Sequence, residues 1–79
     1  MRNEIIKNID LLHTTKLGEQ RILKNLCLQD VDAIEWCKEF IKVKATNFNR
    51  LGKNFYVENE LYTLTIHARS YTIITAHKK

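Results

Sequence analysis

Apolar residues recur at helical spacing through the first half of the chain and at strand spacing through its last third. In Asn3–Leu12, Ile5, Ile6, Ile9 and Leu12 return every three or four positions, which is one face of a helix. His13-Thr14-Thr15 interrupts the pattern, and either threonine hydroxyl can cap the helix that follows. That second helix, about Lys16 to Leu26, carries Leu17, Ile22, Leu23 and Leu26, with Gly18 in its first turn. Arg21 and Lys24 fall on its other faces. A third helix starts at Asp30, whose carboxylate suits an N-cap. It sets Val31, Ile34, Cys37 and Ile41 on one stripe, widened by Ala33, Trp36 and Phe40.

After Ala45 the period changes. Residues 46–54 are polar, with three asparagines and Gly52, and read as a loop ending in a turn at Gly52-Lys53. Phe55-Tyr56-Val57 favours a strand, and Glu58-Asn59-Glu60 makes a turn. Leu61–Ala68 alternates cleanly, and Ser70–His77 is a further run of Thr, Ile and Tyr. The expected fold is therefore α+β, with three N-terminal helices packed on a three-stranded antiparallel meander in a single domain over residues 1–79. The helices must cover one sheet face, because a small sheet alone is not stable.

Register decides what the other face shows. A three-residue loop, Ala68-Arg69-Ser70, sets His67 opposite Tyr71. Leu64 and Ile66 then share the core face with Thr72, Ile74 and Ala76. Thr63, Thr65, His67, Tyr71, Ile73, Thr75 and His77 gather on the open face. A two-residue loop would set Leu64 against Thr75, so the first register is preferred.

Composition narrows the classes. With 44% hydrophobic and 28% charged residues, the chain is neither disordered nor fibrous. No apolar run can span a bilayer, and Met1-Arg2-Asn3-Glu4 opens no signal peptide, so the expected location is the cytoplasm, away from membranes. Thirteen Lys and Arg against nine Asp and Glu give +4, which permits an anionic partner. Because Asp30, Asp32, Glu35 and Glu39 cluster, the remaining surface is more basic than the total suggests. Cys27 and Cys37 read as reduced thiols, and no metal-ligand spacing or cofactor motif occurs.

Several stretches carry a resemblance. They are His13-Thr14-Thr15-Lys16-Leu17-Gly18, Arg21-Ile22, Asn25-Leu26, Asp30-Val31, Trp36-Cys37-Lys38, Gly52-Lys53-Asn54 and the closing run Ser70–Lys78. The pattern resembles a family of small bacterial proteins known only as a domain of unknown function. It covers nearly the whole chain and implies no activity. The order of elements, helices then strands, also resembles that of the small metal-independent RNases that include barnase, RelE and the colicin-type toxins. That resemblance implies chemistry on the exposed sheet face.

Metal-free RNA cleavage uses the 2′-hydroxyl as nucleophile and needs a base, an acid and a fixed cation for the phosphorane charge. Histidine titrates near neutrality, so His77 and His13 are the candidate acid and base. Arg21 would hold the phosphate, and Ser70 and Tyr71 would orient it. Lys24, Lys53, Arg69, Thr75 and His67 are the further candidates for phosphate or nucleic-acid contact. The sequence thus reads as a nucleic-acid-directed module with a toxin-type RNase activity in view. The alternative is a non-catalytic binder or inhibitor, of mobile-element or phage type, that takes RNA on the open face or a protein strand at the Phe55–Val57 edge. Exposed edges of so small a sheet also allow a homodimer. Each candidate has an ordinary reading beside it: threonine is a common strand former, His77 lies near a terminus, and Trp36 suits a core.

Overall fold

A computed structural model describes residues Met1–Lys79, with helical elements up to Lys44 and strands from Asn47 onward. The helical part comprises α1 (Arg2–Lys7), a 3-10 turn (Ile9–Leu11), α2 (Lys16–Asn25) and α3 (Ala33–Glu39), the last extended by a π-helical turn (Phe40–Lys44). Strands β1 (Asn47–Leu51), β2 (Asn54–Glu58), β3 (Tyr62–His67) and β4 (Ile73–Lys78) form one antiparallel sheet in the order β1-β2-β3-β4. The fold is α+β, but the sheet has four strands rather than three. No helix is long and apolar enough to cross a membrane.

Local chemistry sets the helix ends. The Asn8 side chain turns back to donate to the Glu4 carbonyl (3.0 Å), and α1 stops there rather than running to Leu12. Thr15 caps α2 by accepting from the Gly18 N–H (3.0 Å). Asp32, not Asp30, caps α3, accepting from the N–H groups of Ile34 (2.9 Å) and Glu35 (3.1 Å). Asp30 instead takes φ +59° in the preceding turn, a conformation that Asp tolerates better than most residues.

The segment expected as a loop contains β1. Its side chains are exposed except for a half-buried Phe48, so no alternation of apolar and polar residues marks it. It is held by backbone pairing with β2 around a two-residue turn, in which Gly52 takes φ +62°. This makes β2 an interior strand. The sheet edges are β1 and β4, so Phe55–Val57 is not open to strand addition.

The β3–β4 register also departs from expectation. Thr63 pairs with His77, Leu64 with Ala76 and Thr65 with Thr75, and an irregularity then brings Ile66 opposite Ile73. The bulge swaps the faces of Ile73 and Ile74: Ile73 is buried and Ile74 is exposed. Tyr71, expected on the open face, is buried beneath the loop with φ +59°. Thr63, Thr65, His67, Thr75 and His77 keep the open-face positions assigned to them, since their partners on β2 and β4 all lie opposite the core side.

The core is one cluster of 15 buried residues between the helices and one sheet face. Ile5, Leu12, Ile22, Leu26, Cys37, Phe40 and Ile41 come from the helical half, and Phe55, Val57, Leu64, Ile66, Ile73 and Ala76 from the strands. Trp36 packs at its margin, stacked on Phe40 (ring centroids 5.5 Å apart) and edge-on to Tyr62 (5.2 Å). Cys37 is fully buried, and desolvation pushes its thiol up to about 12, whereas Cys27 is exposed. Alkylation of the native chain at pH 8 should therefore label Cys27 alone, as peptide mass spectrometry would report. The raised value has a thermodynamic consequence as well. An unfolded Cys37 ionises above pH 9 while the folded one keeps its proton, so this site lowers stability between pH 9 and about 12, by roughly 1.4 kcal/mol per pH unit.

Gly18 is required by a close approach. A Cβ at this position would collide with the Thr14 hydroxyl, which is itself fixed by donating to the Ile73 carbonyl (2.9 Å). Helix propensity alone predicts a gain of about 1 kcal/mol for Gly18→Ala. Loss of the Thr14 bond and of the Ile73 acceptor's partner should reverse the sign and destabilise by about 1 kcal/mol, read as a lower urea midpoint.

A candidate anion-binding site

Two connections meet at one end of the sheet. The Gly52-Lys53 turn joins β1 to β2, and residues 68–72 join β3 to β4. The Ala68 N–H donates to the Lys53 carbonyl (2.8 Å), which ties the two together. Between them lies a cleft of about 210 Å³ lined by Arg50, Lys53, His67 and Arg69, with no apolar side chain. Three fixed cations and an imidazole thus converge from β1, its turn, the end of β3 and the following loop. No carboxylate pairs with any of them, because the chain's ion pairs are Lys38 with Asp10 and Glu35, and Lys79 with Glu58.

Of the three cations, Arg50 is held in place by contacts of its own. Arg50 Nε donates to the Gly52 carbonyl (3.1 Å), and its guanidinium carbon lies 5.5 Å from the centroid of the buried Phe55 ring. Asn54 and His67 face each other across β2 and β3, which places the imidazole beside the turn. The Ser70 backbone N–H donates to His67 Nδ1 (3.4 Å). In the neutral ring this leaves the proton on Nε2.

The loop carrying Arg69 is tied down by backbone and side-chain hydrogen bonds. His13 forms a parallel bridge to Thr72: its N–H donates to the Tyr71 carbonyl (3.1 Å) and its carbonyl accepts from the Ile73 N–H (2.8 Å). His13 Nδ1 lies 2.8 Å from the Leu11 carbonyl, which can only accept, so the neutral ring carries its proton there. Its Nε2 then accepts from the Thr72 hydroxyl (3.0 Å), which in turn accepts from the Ser70 hydroxyl (2.8 Å). Ser70 Oγ also lies 3.3 Å from His67 Nδ1. His13, Thr72 and Ser70 thus brace the loop beside the cleft.

The residues singled out from the sequence fall into separate places. Lys53, His67 and Arg69 line the cleft, and Ser70 and His13 brace it. Tyr71 is core. Thr75 and His77 lie farther along β4, opposite Thr65 and Thr63. His13 is beside Thr72, five residues before His77; at about 3.3 Å per strand residue their backbones are roughly 16 Å apart along the chain, too far for the pair to share one phosphate. Arg21 and Lys24 are exposed on α2, whose Ile22 is buried against the sheet, and neither lines the cleft. Arg50 is the lining residue that sequence reasoning misses. The signal is present: pairing outward from a two-residue Gly52-Lys53 turn sets Arg50 opposite Phe55.

Fold and cleft together define a small α+β domain with one cationic site at the end of its sheet. The chain belongs to the DUF3781 family of proteins of unknown function, whose family model matches residues 6–77. No curated protein and no solved structure matches it.

Proposed function

We propose that this chain is a nucleic-acid-directed binding module that holds an RNA phosphate between Arg50, Lys53, His67 and Arg69. The observation that carries this reading is the convergence of those four side chains with no carboxylate among them. Unpaired like charges in one cleft repel each other, and a bound polyanion relieves that repulsion while releasing its own counterions. Arginine supplies a two-pronged donor, lysine a point charge, and the His67 Nε2–H a further donor.

The same geometry supports holding a phosphodiester over cutting it. Cleavage through the 2′-hydroxyl moves that proton to a base, forms the O2′–P bond, breaks the P–O5′ bond and returns a proton to O5′. Neutral His67 presents Nε2–H and could serve the leaving oxygen. A base is then still needed, and Arg50, Lys53 and Arg69 are all cationic. His13 is engaged at both ring nitrogens away from the cleft.

The test is fluorescence anisotropy with a labelled single-stranded RNA, followed by gel analysis of the same mixture in EDTA. Saturable, salt-sensitive binding with intact RNA is the expected result. Cleavage lost in His67→Ala would replace this reading with the RNase one, and absence of binding at low salt would remove the RNA reading altogether.

A further inference from the structure

Beside the cationic cleft, the open face of β1 and β2 carries a second hollow, of about 380 Å³, lined by Asn49, Arg50, Leu51, Tyr56 and Glu58. Arg50 lines both hollows, so they adjoin. Their characters differ. The first is lined by polar side chains alone, three of them cationic, whereas the second has an aromatic ring and an exposed Leu51 as its apolar surface. Tyr56 sits between its cross-strand partners Asn49 and Thr65, and the Asn54 amide reaches its hydroxyl at 3.5 Å. Asn54 in turn pairs with His67 of the cationic cleft. Tyr56 is therefore two residues along β2 from the position facing His67, about 7 Å at the strand rise.

We infer that the two hollows together form a site for one nucleotide, with the phosphate in the cationic cleft and the base against the Tyr56 ring. The inference rests on the phosphate-binding reading above and adds the subsite that separates a nucleotide from any other phosphate ester. One ribose spans the step from the charged hollow to the aromatic one. Every base has a flat π-face, and stacking on an exposed aromatic ring is the common way that single strands are held. Glu58 borders the hollow with a carboxylate that only accepts, which suits the exocyclic amino group of adenine. Its partner Lys79 Nζ, at 2.9 Å, holds that carboxylate in place.

The experiment is a ¹H–¹⁵N titration of the full chain with adenosine 5′-monophosphate and, separately, with ribose 5-phosphate. Both should shift the amides of Arg50, Lys53, His67 and Arg69. Only the nucleotide should also shift Asn49, Leu51 and Tyr56, and it should bind on the order of 10-fold more tightly. Tyr56→Leu keeps an apolar strand residue and should bring the nucleotide down to the ribose 5-phosphate level, leaving the latter unchanged. Equal affinities in the wild-type chain, with shifts confined to Arg50, Lys53, His67 and Arg69, would overturn the base subsite and leave the phosphate site standing. If neither compound binds, the phosphate reading falls and the base subsite falls with it.

Discussion

Replacing Lys53 and Arg69 together with alanine should weaken binding of single-stranded RNA by roughly 30-fold at 0.15 M salt. The magnitude follows from about 1 kcal/mol for each charge-assisted hydrogen bond to phosphate, a value discounted for groups at the mouth of an exposed cleft. A second signature is independent of that figure. Removing one phosphate-neutralising cation should reduce the slope of log K against log salt by about 0.7, so the double variant should be shallower by roughly 1.4. The matched control is Arg21→Ala with Lys24→Ala. It removes the same charge from the chain, but from α2, away from the cleft. If RNA were attracted only by net charge, the two double variants would weaken alike. A localised phosphate site predicts that the α2 variant stays within a few-fold of the parent chain. Neither pair takes part in an ion pair or belongs to the core, so both variants should fold.

The second large effect concerns stability. Tyr71→Ala should cost about 3–5 kcal/mol, the range for removing a buried aromatic side chain. A chain of 79 residues has roughly 4–12 kcal/mol of stability in all, so this change takes a large part of it. The Tm should fall by more than about 12 °C. Tyr71 is 5% exposed, its ring meets Phe55 edge-on at 5.9 Å, and its backbone is the hinge between β3 and β4. Its N–H donates to the His67 carbonyl (2.8 Å) and its carbonyl accepts from the His13 N–H. A tyrosine at φ +59° is strained by about 1–3 kcal/mol, and burial of the ring offsets that cost. The hydroxyl matters far less, since its bonds to Asn8 and Glu4 are long, at 3.4 and 3.5 Å. Tyr71→Phe should therefore stay within about 1 kcal/mol of the parent. A Tyr71→Phe chain with normal Tm but no RNA binding would instead place the phenol in the functional chemistry.

Lys53, Arg69 and Tyr71 show how far the sequence can be read. Helical periodicity locates α2 and α3, because both helices bury one face and expose the other, but Leu17 and Val31, expected on their apolar faces, are exposed. Strand β1 escapes because it is an edge strand with almost nothing buried, so backbone pairing alone defines it. That omission hides Arg50, and with it the fourth wall of the cleft. Tyr71 is misplaced for a different reason. A bulge and a left-handed residue break the two-residue alternation between His67 and Ile74, and no side-chain pattern encodes such a break. The His13 bridge to Thr72 joins positions 59 residues apart, and local spacing carries no information about it. By contrast Lys53, His67 and Arg69 are legible as candidates. Each stands at a strand end or in a turn, where the chain leaves the core and charged residues can converge.

The most direct test of a localised phosphate site is a ¹H–¹⁵N titration of the chain with a short single-stranded RNA. The prediction is a set of shifts concentrated in Arg50–Asn54 and His67–Thr72, saturating with RNA and reversed by salt. Shifts centred on Arg21 and Lys24 of α2, with the sheet end unmoved, would contradict it.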